Sequence, residues 1–203
     1  MATRPSLDPK TVLLLLLHAP GPNGPHEPIR GKTRMMKFAF LFEKELYESW
    51  RHPDSDPLTL FDFEAYDYGP FSEHVYGHLT ALQAWRLISI EAAPVGALDV
   101  EEDIPGDLST ELGLQLSEDL SSQGNVVGDI SDVVYRITDL GIAYLRERIL
   151  PKLSAVQTLS IDALKARVLQ ASLRSLLRYV YTKYPQSATN SRIQGDILGS
   201  GRL

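Results

Sequence analysis

Six consecutive apolar residues, Val12 to Leu17, form the first hydrophobic block of the chain. Asp8 and Pro9 stand just before it. An Asp at the cap and a Pro at the first helical position are start signals for a helix. The block is too short to span a bilayer and shorter than the apolar core of a usual signal peptide. It reads as a short buried helix. A Pro/Gly loop, Ala19 to Pro28, follows. Apolar residues at Met36, Phe40, Leu41, Leu46, Tyr47 and Trp50 recur mostly at three- and four-residue spacings, which predicts a helix from about Thr33, as N-cap, to Trp50. His52 to Pro57 breaks the chain. Phe61-Asp62-Phe63-Glu64-Ala65-Tyr66 alternates large apolar and polar residues, as a short half-buried strand does. Tyr68-Gly69-Pro70-Phe71 reads as a turn. Ser72 then caps a helix to about Trp85, with Val75, Leu79 and Leu82 on one face.

Leu87 to Ile90 and Val133 to Ile137 read as strands, and Thr138 caps a helix from Asp139 to about Leu150. The succession is helix, strand, strand, helix. Two strands must pair to persist, and the flanking helices can bury their apolar face. The predicted fold is therefore α+β and mostly helical, a winged helix-turn-helix with a small antiparallel wing. A long C-terminal helix, about Ile161 to Tyr184, presents Leu164, Val168, Leu169, Leu173, Leu176, Leu177 and Val180. That surface either packs on the core or pairs with a second copy in a homodimer. Pro185 ends it, and the tail from Gly195 reads as frayed. The expected division is a domain over 1–155 and the terminal helix and tail over 156–203, with an acidic insertion at about 94–131 that carries a short helix near Ser109 to Leu116.

The charge sharpens this division. The 203 residues carry a net charge of -6. Leu87 to Tyr135 holds eleven Asp/Glu and no Lys or Arg, and the remaining fifteen acids face twenty bases. A mildly basic body thus bears one acidic segment, which can solvate, imitate nucleic acid or cover the body. There is no cysteine, so disulfides and thiolate chemistry are excluded and a cytoplasmic location without a membrane span is expected.

Two segments carry a family resemblance. Ile29-Arg30-Gly31-Lys32-Thr33-Arg34-Met35-Met36-Lys37-Phe38-Ala39-Phe40-Leu41, and Tyr66-Asp67-Tyr68-Gly69-Pro70-Phe71-Ser72 with Val75, Tyr76 and Leu79, resemble the YwgA-like proteins, which are similar to the Panacea group that includes SocA and GepA-like proteins. Tyr135-Arg136-Ile137-Thr138 before Asp139-Leu140-Gly141 resembles the wing exit of PadR-like and MarR-like regulators. The first resemblance spans about residues 10 to 150. It implies a winged-helix-like fold and an antitoxin, phage-defence or adaptor role with a protein partner. The long insertion between the wing strands departs from the pattern.

The residues offer two kinds of binding surface. Arg30, Lys32, Arg34 and Lys37 crowd the start of one predicted helix, where they either hold phosphates, as helix N-termini do, or form a solvated face paired with acids such as Glu43. The helix from Ser72 would be the groove reader, yet it offers Ser72, His74 and His78 and no Lys or Arg before Arg86. Tyr66, Tyr68, Phe71 and Tyr76 form either a stacking or peptide-docking set or a core around a tight turn. His74 and His78, four apart, have the spacing of a metal pair, but two exposed histidines are the plainer account of them. Asp62 and Glu64 share a strand face without a defined partner. No phosphate-binding glycine loop, nucleophile elbow or metalloprotease motif occurs. The expectation is a non-enzymatic binding or adaptor protein with no cofactor and no metal. The alternative is a DNA-binding transcriptional regulator.

Overall fold

A computed structural model describes residues 8–51, 57–92 and 133–199. The acidic insertion at about 94–131 and its expected short helix lie outside the described residues.

Helix α1 (Pro9–His18) begins as its sequence dictates: the Asp8 carboxylate accepts from the backbone N–H of Lys10 and Thr11, and Pro9 occupies the first position. Val12 to Leu17 are all buried, on every side of the helix, because other elements surround it. Strand β1 (Ile29–Arg30) leads into α2 (Lys32–Phe42). The cap is Gly31, at φ 85°, rather than Thr33; the left-handed conformation that glycine adopts freely lets the chain turn from strand to helix. Past Phe42 the helix widens into a π-helical segment, Glu43–Tyr47, and closes with a last turn at Glu48–Trp50.

A small hairpin follows, with β2 (Glu64–Tyr66) antiparallel to β3 (Gly69–Phe71) and Tyr66 opposite Gly69. What reads as a turn at Tyr68 to Phe71 is thus a strand from Gly69 onward. Helix α3 (Glu73–Ala84) buries Val75, Leu79 and Leu82, as its spacing predicts. Strands β4 (Ile88–Ala92) and β5 (Val133–Ile137) pair antiparallel, and β1 adds to the other side of β5. The sheet order is β1-β5-β4, with Tyr135 buried at its centre opposite both Ile29 and Ile90. The third strand escapes the sequence because two residues carry no periodicity.

Thr138 caps α4 (Asp139–Arg148) by accepting from the Gly141 N–H, as expected. The single long terminal helix is corrected to two. Helix α5 (Ala155–Gln170) stops at Ala171, and α6 (Leu173–Lys183) starts afresh with the Ser172 hydroxyl accepting from Ser175 N. No Gly or Pro marks the break; a serine cap and Arg34 hold it. A short helix, α7 (Gln194–Leu198), replaces the expected frayed start of the tail and buries Ile197.

The architecture is α+β, mostly helical, with one hydrophobic cluster running from α1 and α2 through the β5 face to α5 and α6. Leu164, Val168, Leu176, Leu177 and Val180 belong to that cluster. The cluster includes residues on both sides of 155/156, and these apolar positions are covered within the chain. No described helix is long and apolar enough to cross a membrane.

Candidate binding surface

The four bases at the start of α2 go to different fates. Arg30 is exposed on the edge strand β1. Arg34 turns inward: its Nη1 donates to the carbonyls of Val168 and Ala171, at 2.7 Å each. Lys37 is 3% exposed and donates from Nζ to the Pro70 carbonyl at 2.9 Å. Burial alone pushes its pKa down to about 7, because a charged amine loses its hydration there. Lys32 is buried as well, and burial lowers its pKa. The expectation of a phosphate-holding cluster is thus corrected for Arg34 and Lys37, which bond carbonyls of the interior. A fifth base, Lys165, is expected with Arg167, Arg174 and Arg178 on the faces of the terminal helix away from its apolar stripe; it is instead wholly buried, which corrects that placement. Its Nζ donates to the carbonyls of Leu17 and Ala19, which end α1. Burial lowers its pKa to about 7, against the opposing pull of Glu27 and Asp162. Sequence spacing on α5 places Lys165 among Ile161, Leu164 and Val168, and that was the available signal.

Helix α3 was expected to present Ser72, His74 and His78. Ser72 stands at the N-cap of α3, as expected, but is buried, and its hydroxyl donates to the Phe61 carbonyl rather than bonding the helix. It is corrected from a surface contact to a tether between Phe61 and the start of α3. His74 is exposed, with Nε2 4.0 Å from the Asp62 carboxylate. His78 lies four residues on, its ring stacked on His74 at 6.3 Å between centroids. Its pKa is lowered, first by burial and then by Lys10, with Asp8 opposing. Among the described residues no group of three or more His, Asp or Glu could hold a metal ion. Arg86 is exposed at the end of the helix, at φ 58°, and its carbonyl accepts from the Thr138 hydroxyl. The rings of His18 and His26 lie 4.4 Å apart between centroids; burial and then His26 push the pKa of His18 down to about 4.

The aromatic residues separate cleanly. Tyr68 is buried near Tyr181 and belongs to the core, which corrects its place in the docking set. Tyr66, Phe71 and Tyr76 come together. Strand alternation and the register put Glu64, Tyr66 and Phe71 on one face of the hairpin, with Phe71 directly opposite Glu64. The Tyr66 and Phe71 rings are 5.2 Å apart and tilted by 31°, and the Phe71 and Tyr76 rings are 5.9 Å apart. Tyr66 is 40% exposed, and Phe71 and Tyr76 are half-buried. The hairpin is pinned from behind. The Asn190 side-chain amide donates to the Ala65 carbonyl, the Arg192 N–H donates to the Asp67 carbonyl, and the Arg192 guanidinium lies 2.9 Å from the Asp67 carboxylate.

The charge around this row is of one sign. From His52 to Trp85 there are six Asp/Glu and no Lys or Arg. Asp62, Glu64 and Glu73 are all exposed beside the aromatic row. The outer side of α3 adds Gly77, Thr80 and Gln83, all exposed and uncharged. This surface is apolar, aromatic and acidic, the reverse of what phosphates require.

Compared with protein-family models, curated proteins and solved structures, the chain matches none.

Proposed function

We propose that this chain is a non-catalytic winged-helix binding protein that engages a protein partner through the β2–β3 hairpin and the outer side of α3. An adaptor or antitoxin role of the YwgA-like and Panacea kind, in the cytoplasm, belongs to the same proposal. The element order α1, β1, α2, α3, β4, β5, with the β2–β3 hairpin inserted between α2 and α3, and the sheet order β1-β5-β4 support the winged-helix reading. In that arrangement α3 occupies the place of the helix offered to a partner.

One observation carries the choice of partner. The offered surface joins Tyr66, Phe71 and Tyr76 in a continuous row and has no Lys or Arg from His52 to Trp85. Aromatic anchors are typical of protein interfaces, whereas duplex binding relies on bases. A second reading, a transcriptional regulator of the PadR or MarR type, rests on the exposed Arg30, Arg86 and Arg136 around the three-stranded sheet.

Fluorescence anisotropy with mixed-sequence single- and double-stranded DNA over a range of salt separates the two. The protein-binding reading expects no submicromolar complex even at low salt. Submicromolar binding that weakens steeply with salt, and is lost when Arg30, Arg86 and Arg136 become alanine, would establish the regulator instead.

A further inference from the structure

The same hairpin surface specifies the chemistry of its partner further than the fold does. The row Tyr66, Phe71, Tyr76 offers ring faces at centroid distances of 5.2 and 5.9 Å. Ring faces are the negative side of the aromatic quadrupole and attract cations. Exposed carboxylates stand beside the row: Glu64 opposite Phe71 in the strand register, Glu73 in the first turn of α3, and Asp62 just before the hairpin. Asp67 faces away into its ion pair with Arg192, so the chain's own guanidinium at the hairpin is already engaged behind it. The His74 ring lies 4.0 Å from the Asp62 carboxylate and stacks on His78. Aromatic faces flanked by carboxylates match a planar, charged, hydrogen-bonding group. Arginine is that group: it stacks on a ring and donates to a carboxylate with the same guanidinium, whereas lysine offers a point charge that must choose.

We propose that the surface formed by Tyr66, Phe71, Tyr76, Glu64 and Glu73 docks an arginine-bearing segment of a partner protein, with a guanidinium stacked on the Tyr66–Phe71 pair and paired with Glu64. This rests on the protein-binding reading above and names the partner's charge and side chain.

The test titrates the full chain with fluorescein-labelled nona-arginine, nona-lysine, nona-glutamate and a mixed-sequence DNA duplex, comparing the unsubstituted protein with Tyr66→Ala, Glu64→Lys and Glu147→Lys. Tyr66 and Glu64 are exposed, so the first two variants keep the fold, which far-ultraviolet circular dichroism checks. Glu147, exposed on α4, controls for overall acidity. The expected result is binding of nona-arginine severalfold tighter than nona-lysine. It weakens about tenfold or more in Tyr66→Ala and in Glu64→Lys and stays unchanged in Glu147→Lys. Equal weakening by Glu147→Lys, or no binding of nona-arginine, overturns the proposal. A preference for nona-glutamate that Tyr66→Ala removes overturns the cationic partner and leaves the protein-binding reading intact. Duplex binding lost in the hairpin variants overturns both.

Discussion

The guanidinium of Arg34 bonds the carbonyls of Val168 and Ala171 with one nitrogen, and so a residue of α2 closes the last turn of α5. Helix C-termini leave four carbonyls without partners in the helix, and a cation there satisfies them and meets the negative end of the dipole. Replacing Arg34 by alanine is expected to destabilise the protein by about 2–3 kcal/mol, because charged hydrogen bonds are lost at part-buried carbonyls. Urea unfolding followed by circular dichroism measures this. A loss below half a kcal/mol would show that solvent replaces the guanidinium without cost.

Lys37 and Lys165 give the protein an unusual pH dependence. Each is buried on neutral carbonyls and has its pKa lowered from about 10.5 to about 7. An unfolded chain would bind protons on both up to pH 10.5, whereas the folded chain releases them from pH 7 upward. The unfolded state holds more protons in that window, so stability rises with pH from about 7 to about 10 and falls as pH drops back through it. The expected gain is roughly 2–3 kcal/mol for each lysine between pH 7 and 9.5. Urea midpoints at several pH values check it. Lys37→Met and Lys165→Met are each expected to flatten the curve and to leave stability at neutral pH unchanged or higher.

Two glycines should respond oppositely to alanine. At Gly141 an added Cβ would lie 2.2 Å from the Leu87 carbonyl oxygen and 2.8 Å from the Ile137 side chain. Backbone cannot retreat there without breaking the Thr138 N–H bond to the same Leu87 oxygen. Gly141→Ala is expected to cost about 2 kcal/mol or more. At Gly77, in the exposed middle of α3, nothing lies within 4 Å of the added atom. Gly77→Ala is expected to stabilise by up to about 1 kcal/mol. Thermal unfolding of the pair reads both signs together.

Glu45 gathers four side chains. It accepts from Arg167, from the Tyr179 hydroxyl at 2.7 Å, from Lys183 at 3.0 Å and from the Tyr184 hydroxyl at 3.4 Å. Burial raises its pKa, but the hydrogen bonds from Arg167, Tyr179 and Lys183 outweigh that and leave it lowered. Its contribution is therefore complete above the ordinary glutamate range and is lost as pH falls below it. Glu45→Gln is expected to cost about 1 kcal/mol at neutral pH and almost nothing at pH 3, as paired urea titrations would reveal.

Much of this molecule is written in local patterns. The Asp8–Pro9 start of α1, the Val75, Leu79, Leu82 face of α3 and the Thr138 cap of α4 follow from spacing and capping chemistry, and all three occur. The features that escape depend on distant partners. Strand β1 is two residues long and exists because Val134 and Tyr135 pair with it across more than a hundred positions. The break between α5 and α6 has no glycine or proline and depends on Arg34. The same holds at the surface. Lys37 looks like a neighbour of Arg30 in sequence, but a helix start points successive residues in different directions, so one faces water and the other the Pro70 carbonyl. The row Tyr66, Phe71, Tyr76 was readable as a set, because a hairpin turn and one helical turn bring these residues together within eleven positions.

The π-helical segment at Glu43–Tyr47 has a consequence for changes in chain length. A π turn holds one residue more than an α turn does. That extra residue lets Glu43 accept from Leu60 and Phe61 on one side while Glu45, two positions on, reaches α5 and α6 on another. Removing a single residue from that turn would restore an ordinary helix and leave what lies beyond it nearly in place, whereas removing one from the α-helical turns of α2 before it would rotate everything beyond by about 100°. Tyr47 would then leave the Pro57 carbonyl. Spacing, more than side-chain identity, is what α2 must preserve.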